Sequence, residues 1–118
     1  MTTITFYKTD GIYYGFEENG HTGLGEAGDD VLCAALSAMT MLLINAIEVS
    51  YASDVEYSID EKDAKITVIA KSALPAFEKD EKKQYAVAGL MQAYFLQLMD
   101  LLEDNYKYLD VNEIERKP

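Results

Sequence analysis

The fold is decided near the start of the chain, where residues 3–18 read TITFYKTDGIYYGFEE. β-Branched and aromatic residues fill Thr3 to Thr9 and Ile12 to Glu18, and such runs favour extended strands. Between the two runs stands Asp10-Gly11, a dipeptide that supplies the positive φ angles of a two-residue turn. The stretch therefore predicts a hairpin of two antiparallel strands that opens the fold.

The middle of the chain predicts one helix and a second hairpin. Asp30 to about Val49 is apolar on nearly every side, and a helix of this kind is expected to be buried on every side. Val55 to Ile59 and Lys65 to Ala70 follow, joined by the polar turn Asp60 to Ala64. The alternation of apolar side chains in these two runs fits strands with one buried face.

The last third of the chain completes the architecture. The charged stretch Glu78 to Lys83 leads into a long helix that reaches about Glu103, with an apolar stripe at helical spacing. Tyr106 to Ile114 is interpreted as a last strand that closes the sheet. The order β-β-α-β-β-α-β predicts an α+β sandwich, an antiparallel sheet with two helices, as a single domain over residues 1–118.

Composition limits the function classes. The chain has 118 residues and 49% hydrophobic residues, which fits one globular domain. Its 21 acidic against 10 basic residues give a net charge of −11. Such a surface repels nucleic-acid phosphates and attracts a basic partner, although an acidic balance also serves solubility alone. We therefore expect no direct contact with nucleic acid.

Neither a membrane segment nor a metal framework is expected. The first ten residues lack a basic segment followed by an apolar run, and no stretch looks apolar enough for long enough to span a bilayer. A cytoplasmic protein is expected. One cysteine and one histidine form neither an internal disulfide nor an ordinary zinc ligand set, so we expect no metal and no cofactor.

The candidate catalytic residues lie in the stretch Gly20 to Ser37, GHTGLGEAGDDVLCAALS, which contains the only histidine and the only cysteine. We interpret Cys33 as a thiol nucleophile and His21 as its general base. Asp29-Asp30 is expected to cap the following helix. Cys33 would then lie in the first helical turn, where the helix dipole stabilises a thiolate, and the backbone N–H groups of Leu32 and Cys33 are candidates for an oxyanion hole.

Other polar residues of the same stretch are assigned supporting roles. Asp30 is expected to act as the cap, and orienting the imidazole as third member of a triad remains its alternative role. Ser37 lies four residues after Cys33 on the same helix face, so it is a candidate for binding substrate or holding the loop. Taken singly, a lone histidine is usually a surface residue and a lone cysteine a core residue, and only their joint spacing around the glycine loop favours catalysis.

The residues of this stretch also form a recognisable pattern, a Gly-His pair followed by a short glycine loop and a G-x-D-[IV]-[VL]-C-A-A-x-S block. The matching positions are Gly20, His21, Gly28, Asp30, Val31, Leu32, Cys33, Ala34, Ala35 and Ser37. The chain thereby resembles the bacterial ribosomal-processing cysteine proteases over its whole length. The departures are mild: Thr22 stands where that family usually has Ala, and Leu32 where it often has Val.

The resemblance implies a specific activity. It implies a cytoplasmic protease that removes a short N-terminal extension from a large-subunit ribosomal protein, the one numbered twenty-seven, before ribosome assembly, with Gly20 and Gly28 supporting the loop. It also points to a homodimer, as does a central helix too apolar for one sheet and one helix to cover. The alternative from a different class is a non-enzymatic acidic module that binds a basic ribosomal protein, with Cys33 as a core residue.

Overall fold

The computed structural model describes the backbone of residues 1–20 and 27–118, and the side chains of residues 1–20 and 31–118. Within this part of the chain, five strands and two helices follow in the predicted order. They are β1 (Thr2–Thr9), β2 (Ile12–Asn19), α1 (Ala27–Asn45), β3 (Glu56–Asp60), β4 (Lys65–Ile69), α2 (Glu81–Asn105) and β5 (Leu109–Glu115). The α+β class is confirmed.

The strands form one five-stranded sheet in the order β3-β4-β2-β1-β5. β1 and β2 pair as the predicted hairpin, with Phe6 opposite Phe16. Asp10 and Gly11 take φ angles of 50° and 80° in the turn, as a two-residue hairpin turn requires. β3 and β4 form the second antiparallel hairpin.

The prediction of an antiparallel sheet is wrong for the last strand, and the sheet is mixed. β5 pairs with β1 in parallel, with Thr2 opposite Leu109. The physical reason is the length of the connection. α2 carries the chain back along the sheet, so the strand that follows it runs in the same direction as β4, the strand that precedes it.

The core lies between the sheet and the helices. Phe6, Phe16 and Tyr94 are buried and in mutual ring contact, with ring centroids 5.1 to 6.0 Å apart. α2 begins after Asp80, whose carboxylate accepts hydrogen bonds from the backbone N–H groups of Lys82 and Lys83 at 3.0 and 3.4 Å. This cap sets the start of the helix that supplies Val87, Met91, Tyr94 and Leu98 to the core.

The prediction that the first helix is buried on every side is wrong for the chain alone. α1 buries Leu36, Leu43 and Ile44, but Val31 and Leu42 remain 71% and 69% exposed. The expected buried face of β3 is also missing, because all five of its residues are exposed. The sheet and α2 cover one side of α1, and β3 lies at the edge of the sheet.

The expectation that no stretch of the chain is apolar enough for long enough to span a bilayer is wrong. Residues Val31–Ser50, which include a π-helical turn at Ala46–Ser50, and α2 are both long and apolar enough to cross a bilayer. Both segments contribute buried side chains to the core. A core helix of a globular protein has this composition, so length and composition alone do not mark either helix as a membrane span.

Candidate active site

Cys33 lies on α1 with 3% of its surface exposed. Because the helix begins at Ala27, Cys33 falls in the second turn rather than the first. Asp30 lies inside the first turn, so its prediction as N-cap is wrong. Acidic residues are favourable throughout the first turn of a helix, which is why an aspartate pair does not locate the cap by itself.

The early helix start also overturns the expected oxyanion hole. The unbonded backbone N–H groups of an α-helix are those of its first turn. Leu32 and Cys33 come after that turn, where N–H groups donate to carbonyls four residues earlier in the helix. Their amides are therefore occupied within α1, and oxyanion donors have to come from other groups.

Cys33 lines a pocket of about 440 Å³ between α1 and the β3–β4 hairpin. Ser37 lines the same pocket one helical turn further along, so the structure brings these two predicted residues to one place. Met41 on α1 and Ile59 and Ile66 on the hairpin supply apolar walls. The pocket thus combines a thiol with an apolar surface large enough for part of a peptide.

Thr2 is a neighbour of the thiol that the sequence did not indicate. Its Oγ1 lies 4.0 Å from Cys33 Sγ, and either atom can donate the proton of this weak hydrogen bond. The backbone N–H of Thr2 donates to the carbonyl of Tyr108 at 2.8 Å. This backbone hydrogen bond to the segment before β5 therefore holds the Thr2 hydroxyl beside Cys33.

Glu18 is the second residue that the sequence did not single out. It is 5% exposed and lines the Cys33 pocket. Its Oε1 accepts hydrogen bonds from Thr40 Oγ1 at 2.9 Å and Tyr94 Oη at 2.7 Å. Burial, together with the charge of Glu18, raises the pKa of the Tyr94 hydroxyl, which keeps it a donor. The sequence did carry a signal, because Glu18 lies two residues after Phe16 in a predicted strand and therefore on the same face, which the structure buries.

The structure describes only some of the remaining predicted site residues. His21 lies outside the described residues, and of Gly28 and Asp30 only the helical backbone is described. Gly20 follows the last residue of β2 with φ +90°, and a Cβ there would clash with the carbonyl oxygen of Met1. Its role in the structure is thus steric, because only glycine permits this close approach immediately before His21.

Comparison with protein families gives one match over most of the chain. A family model described as cysteine protease Prp matches residues 1–110. No curated relative matches the sequence.

Solved structures share the fold over nearly the whole chain. SMU.848 from Streptococcus mutans is 32% identical with a TM-score of 0.80, over 98% of this chain and 99% of that one. The essential ribosomal processing protease Prp from S. aureus, in complex with a substrate peptide, is 18% identical with a TM-score of 0.79. That alignment covers 97% of this chain and 100% of the other.

Proposed function

The chain belongs to the Prp family of cysteine proteases, and from this premise we propose that it removes the N-terminal extension of a large-subunit ribosomal protein, the one numbered twenty-seven, before ribosome assembly. The observation that carries the proposal is the position of Cys33 in the wall of a pocket large enough for part of a peptide. A second observation supports it. The S. aureus relative has been crystallised both with a substrate peptide and with a covalently linked product peptide.

Cys33 and His21 carry the proposed reaction. His21 takes the thiol proton, and the Cys33 thiolate attacks the carbonyl carbon of the scissile peptide bond. The tetrahedral intermediate collapses as His21 gives the proton to the departing amine, which leaves a thioester on Cys33. Water, deprotonated by His21, then attacks the thioester carbonyl and releases the acid with regeneration of the thiol.

The supporting residues are proposed to position the reacting groups. Ser37 lines the same pocket as Cys33 and binds substrate or holds the loop. Gly20 fixes the point where the chain leaves β2, immediately before His21. Gly28 and Asp30 belong to the first turn of the helix that presents Cys33, and orienting the imidazole is the alternative role of Asp30.

The partner is proposed to be a basic peptide. A net charge of −11 attracts the extension of a basic ribosomal protein and disfavours direct nucleic-acid contact. Cysteine and histidine chemistry of this kind needs no metal and no cofactor. We propose that residues 1–118 act as one domain of this type in the cytoplasm, without a membrane attachment. A non-enzymatic acidic module has no separate observation in its favour once the family is established.

A homodimer is the proposed assembly. Val31, Leu42 and Val49 are exposed along α1 and its π-helical extension, each by about 70% of its surface. Apolar side chains in one row favour burial against a partner, and a second copy of α1 matches such a row. Light scattering is expected to give the mass of a dimer at micromolar concentration, whereas a monomer there would contradict the proposal.

Mass spectrometry of a peptide that carries the extension tests the function directly. We expect the wild-type protein to cleave it once and Cys33→Ala to leave it intact, because alanine offers no nucleophile at a site of similar volume. His21→Ala is expected to lose most of the activity. Thr22→Ala is the matched control beside His21, and it should retain cleavage. Cleavage by Cys33→Ala would contradict the assignment of the nucleophile.

A further inference from the structure

We propose that the hydroxyl group of Thr2 is a catalytic hydrogen-bond donor, which stabilises the oxyanion that forms when the Cys33 thiolate attacks the substrate carbonyl. The inference deepens the proposed function and rests on it. It assigns a role at the reacting atoms to a residue outside the stretch of sequence that contains His21 and Cys33. The argument comes from the position of one buried hydroxyl beside the thiol.

The attack of a thiolate on a peptide carbonyl creates a negative charge that the enzyme has to stabilise. As the C–S bond forms, the π electron pair of the carbonyl group moves onto its oxygen. Hydrogen-bond donors fixed beside that oxygen lower the barrier. The amides of Leu32 and Cys33 donate within α1, so they do not fill this role. A side-chain donor close to the sulfur is a suitable alternative.

The distance between Thr2 and the sulfur matches such a donor. The oxyanion is bonded to the carbon that the sulfur attacks, so it lies about 2.7 Å from Sγ, and a donor reaches it at about 3 Å. When the sulfur, the oxyanion and the donor form a roughly right-angled triangle, the donor lies about 4 Å from the sulfur. The observed distance between Thr2 Oγ1 and Cys33 Sγ is 4.0 Å.

The Thr2 hydroxyl is held in place before substrate arrives. Thr2 is 2% exposed, its backbone N–H donates to the carbonyl of Tyr108 at 2.8 Å, and it pairs with Leu109 across the sheet. Its Oγ1 forms one hydrogen bond to the described residues, the weak one with Cys33 Sγ. Rotation of the O–H bond from the sulfur towards the oxyanion therefore needs no movement of the backbone. Donors that are already in position stabilise a transition state most effectively.

The pocket makes the hydroxyl accessible to the reacting carbonyl. Thr2 and Cys33 line the same pocket, so a carbonyl group that reaches the sulfur from this pocket also comes close to Oγ1. Hydrolysis of the thioester passes through a second tetrahedral intermediate, whose oxyanion is the same oxygen atom. The hydroxyl therefore acts in both halves of the reaction, and it donates a hydrogen bond without giving up its proton.

Steady-state cleavage of the extension peptide by Thr2→Val tests the role, because valine keeps the shape of threonine and lacks the hydroxyl. We expect kcat to fall about 100-fold with KM changed less than about twofold, since the lost hydrogen bond is made only in the transition state. Thr2→Ser keeps a hydroxyl and should retain most of the activity. Thr3→Val is the matched control, one residue further along β1 and outside the described pocket lining, and it should leave kcat unchanged.

Two reactions of the thiol separate oxyanion stabilisation from an effect on the thiol itself. Alkylation by iodoacetamide displaces iodide from a saturated carbon and forms no oxyanion, so Thr2→Val should slow it only about twofold. Acylation by p-nitrophenyl acetate passes through a tetrahedral intermediate and releases p-nitrophenolate, so it should slow about tenfold or more. Equal slowing of the two reactions overturns the inference, because the hydroxyl then acts on the thiol alone.

The outcomes distinguish this inference from the proposed function. Cleavage by wild type with an unchanged kcat in folded Thr2→Val, or with a change confined to KM, overturns the role of Thr2 alone. Should Thr2→Val not fold, Thr2→Ala provides the same comparison. If wild type cleaves no extension peptide but Cys33 is acylated by the ester, the proposed substrate is overturned, and the ester rates still decide the role of Thr2.

Discussion

Glu17 and Glu18 are neighbours on β2, but they face opposite sides of the sheet and meet different partners. Glu17 accepts hydrogen bonds from Tyr7 Oη at 2.8 Å and Asn19 Nδ2 at 2.9 Å, and it pairs with Lys65 at 3.0 Å. Glu18 faces the helices, where two buried hydroxyl groups hold it. The first carboxylate has a cation partner, and the second lines the candidate active site.

The contrast shows how strand alternation places two neighbouring carboxylates in different environments. Hydrogen bonds from Asn19, Tyr7 and Lys65 lower the pKa of Glu17 to about 2, so this carboxylate stabilises the folded chain as an anion. On the same face Arg116 covers the Tyr7 ring and Tyr14 donates to the Arg116 carbonyl. Of the described residues on that face, Lys65 and its cross-strand partner Asp60 also line the Cys33 pocket.

The largest expected effect comes from removing the buried carboxylate. Glu18→Ala should lower the free energy of unfolding by about 3 kcal/mol, because it leaves a cavity and two buried hydroxyl groups without their acceptor. Urea unfolding followed by circular dichroism measures the loss. A change below about 1 kcal/mol would show that the helix-side carboxylate is not part of the packed structure.

Glu17→Gln should lower the free energy of unfolding by about 2 kcal/mol at pH 7. A folded pKa below the ordinary value of 4.5 means that Glu17 stabilises the fold above about pH 5. The difference between wild type and variant should therefore shrink as pH falls from 4.5 and vanish near pH 2. Urea unfolding at several pH values measures this, with Glu103→Gln as the control. A difference that does not change with pH would contradict the assignment.

Thr40→Val should cost about 1 kcal/mol, since it removes one of the two hydroxyl donors to Glu18. The isosteric side chain keeps the packing of α1. In the Glu18→Gln background the same substitution should cost less, and the difference between the two costs is the coupling of the pair. Equal costs in both backgrounds would mean that Thr40 and Glu18 act independently.

The smallest expected effect concerns the thiol. Thr2→Val removes the hydroxyl that lies 4.0 Å from Cys33 Sγ, and a thiolate accepts hydrogen bonds better than a thiol does. The rate of alkylation by iodoacetamide at pH 7 should fall about twofold, while Thr2→Ser retains the wild-type rate. A faster rate in Thr2→Val would show that the hydroxyl shields the thiol instead.

Local patterns predicted most of the fold. The Asp10-Gly11 turn, both hairpins and both helices follow from strand alternation, turn residues and helical spacing. The observed element boundaries differ from the predicted ones by a few residues, most importantly at the start of α1. The reason there is that Asp29 and Asp30 are favourable both at a cap and inside a first turn. That shift of about one turn removed the expected oxyanion donors at Leu32 and Cys33.

The sequence by itself determined the element order, the protease family and Cys33 as candidate nucleophile, because each depends on residues close together along the chain. Only the tertiary structure decided the parallel pairing of β5 with β1 and the meeting of Cys33 with Thr2 and Glu18. Glu18 and Tyr94 are 76 positions apart. Contacts of this kind arise from packing of the helices on the sheet, and no local propensity encodes them.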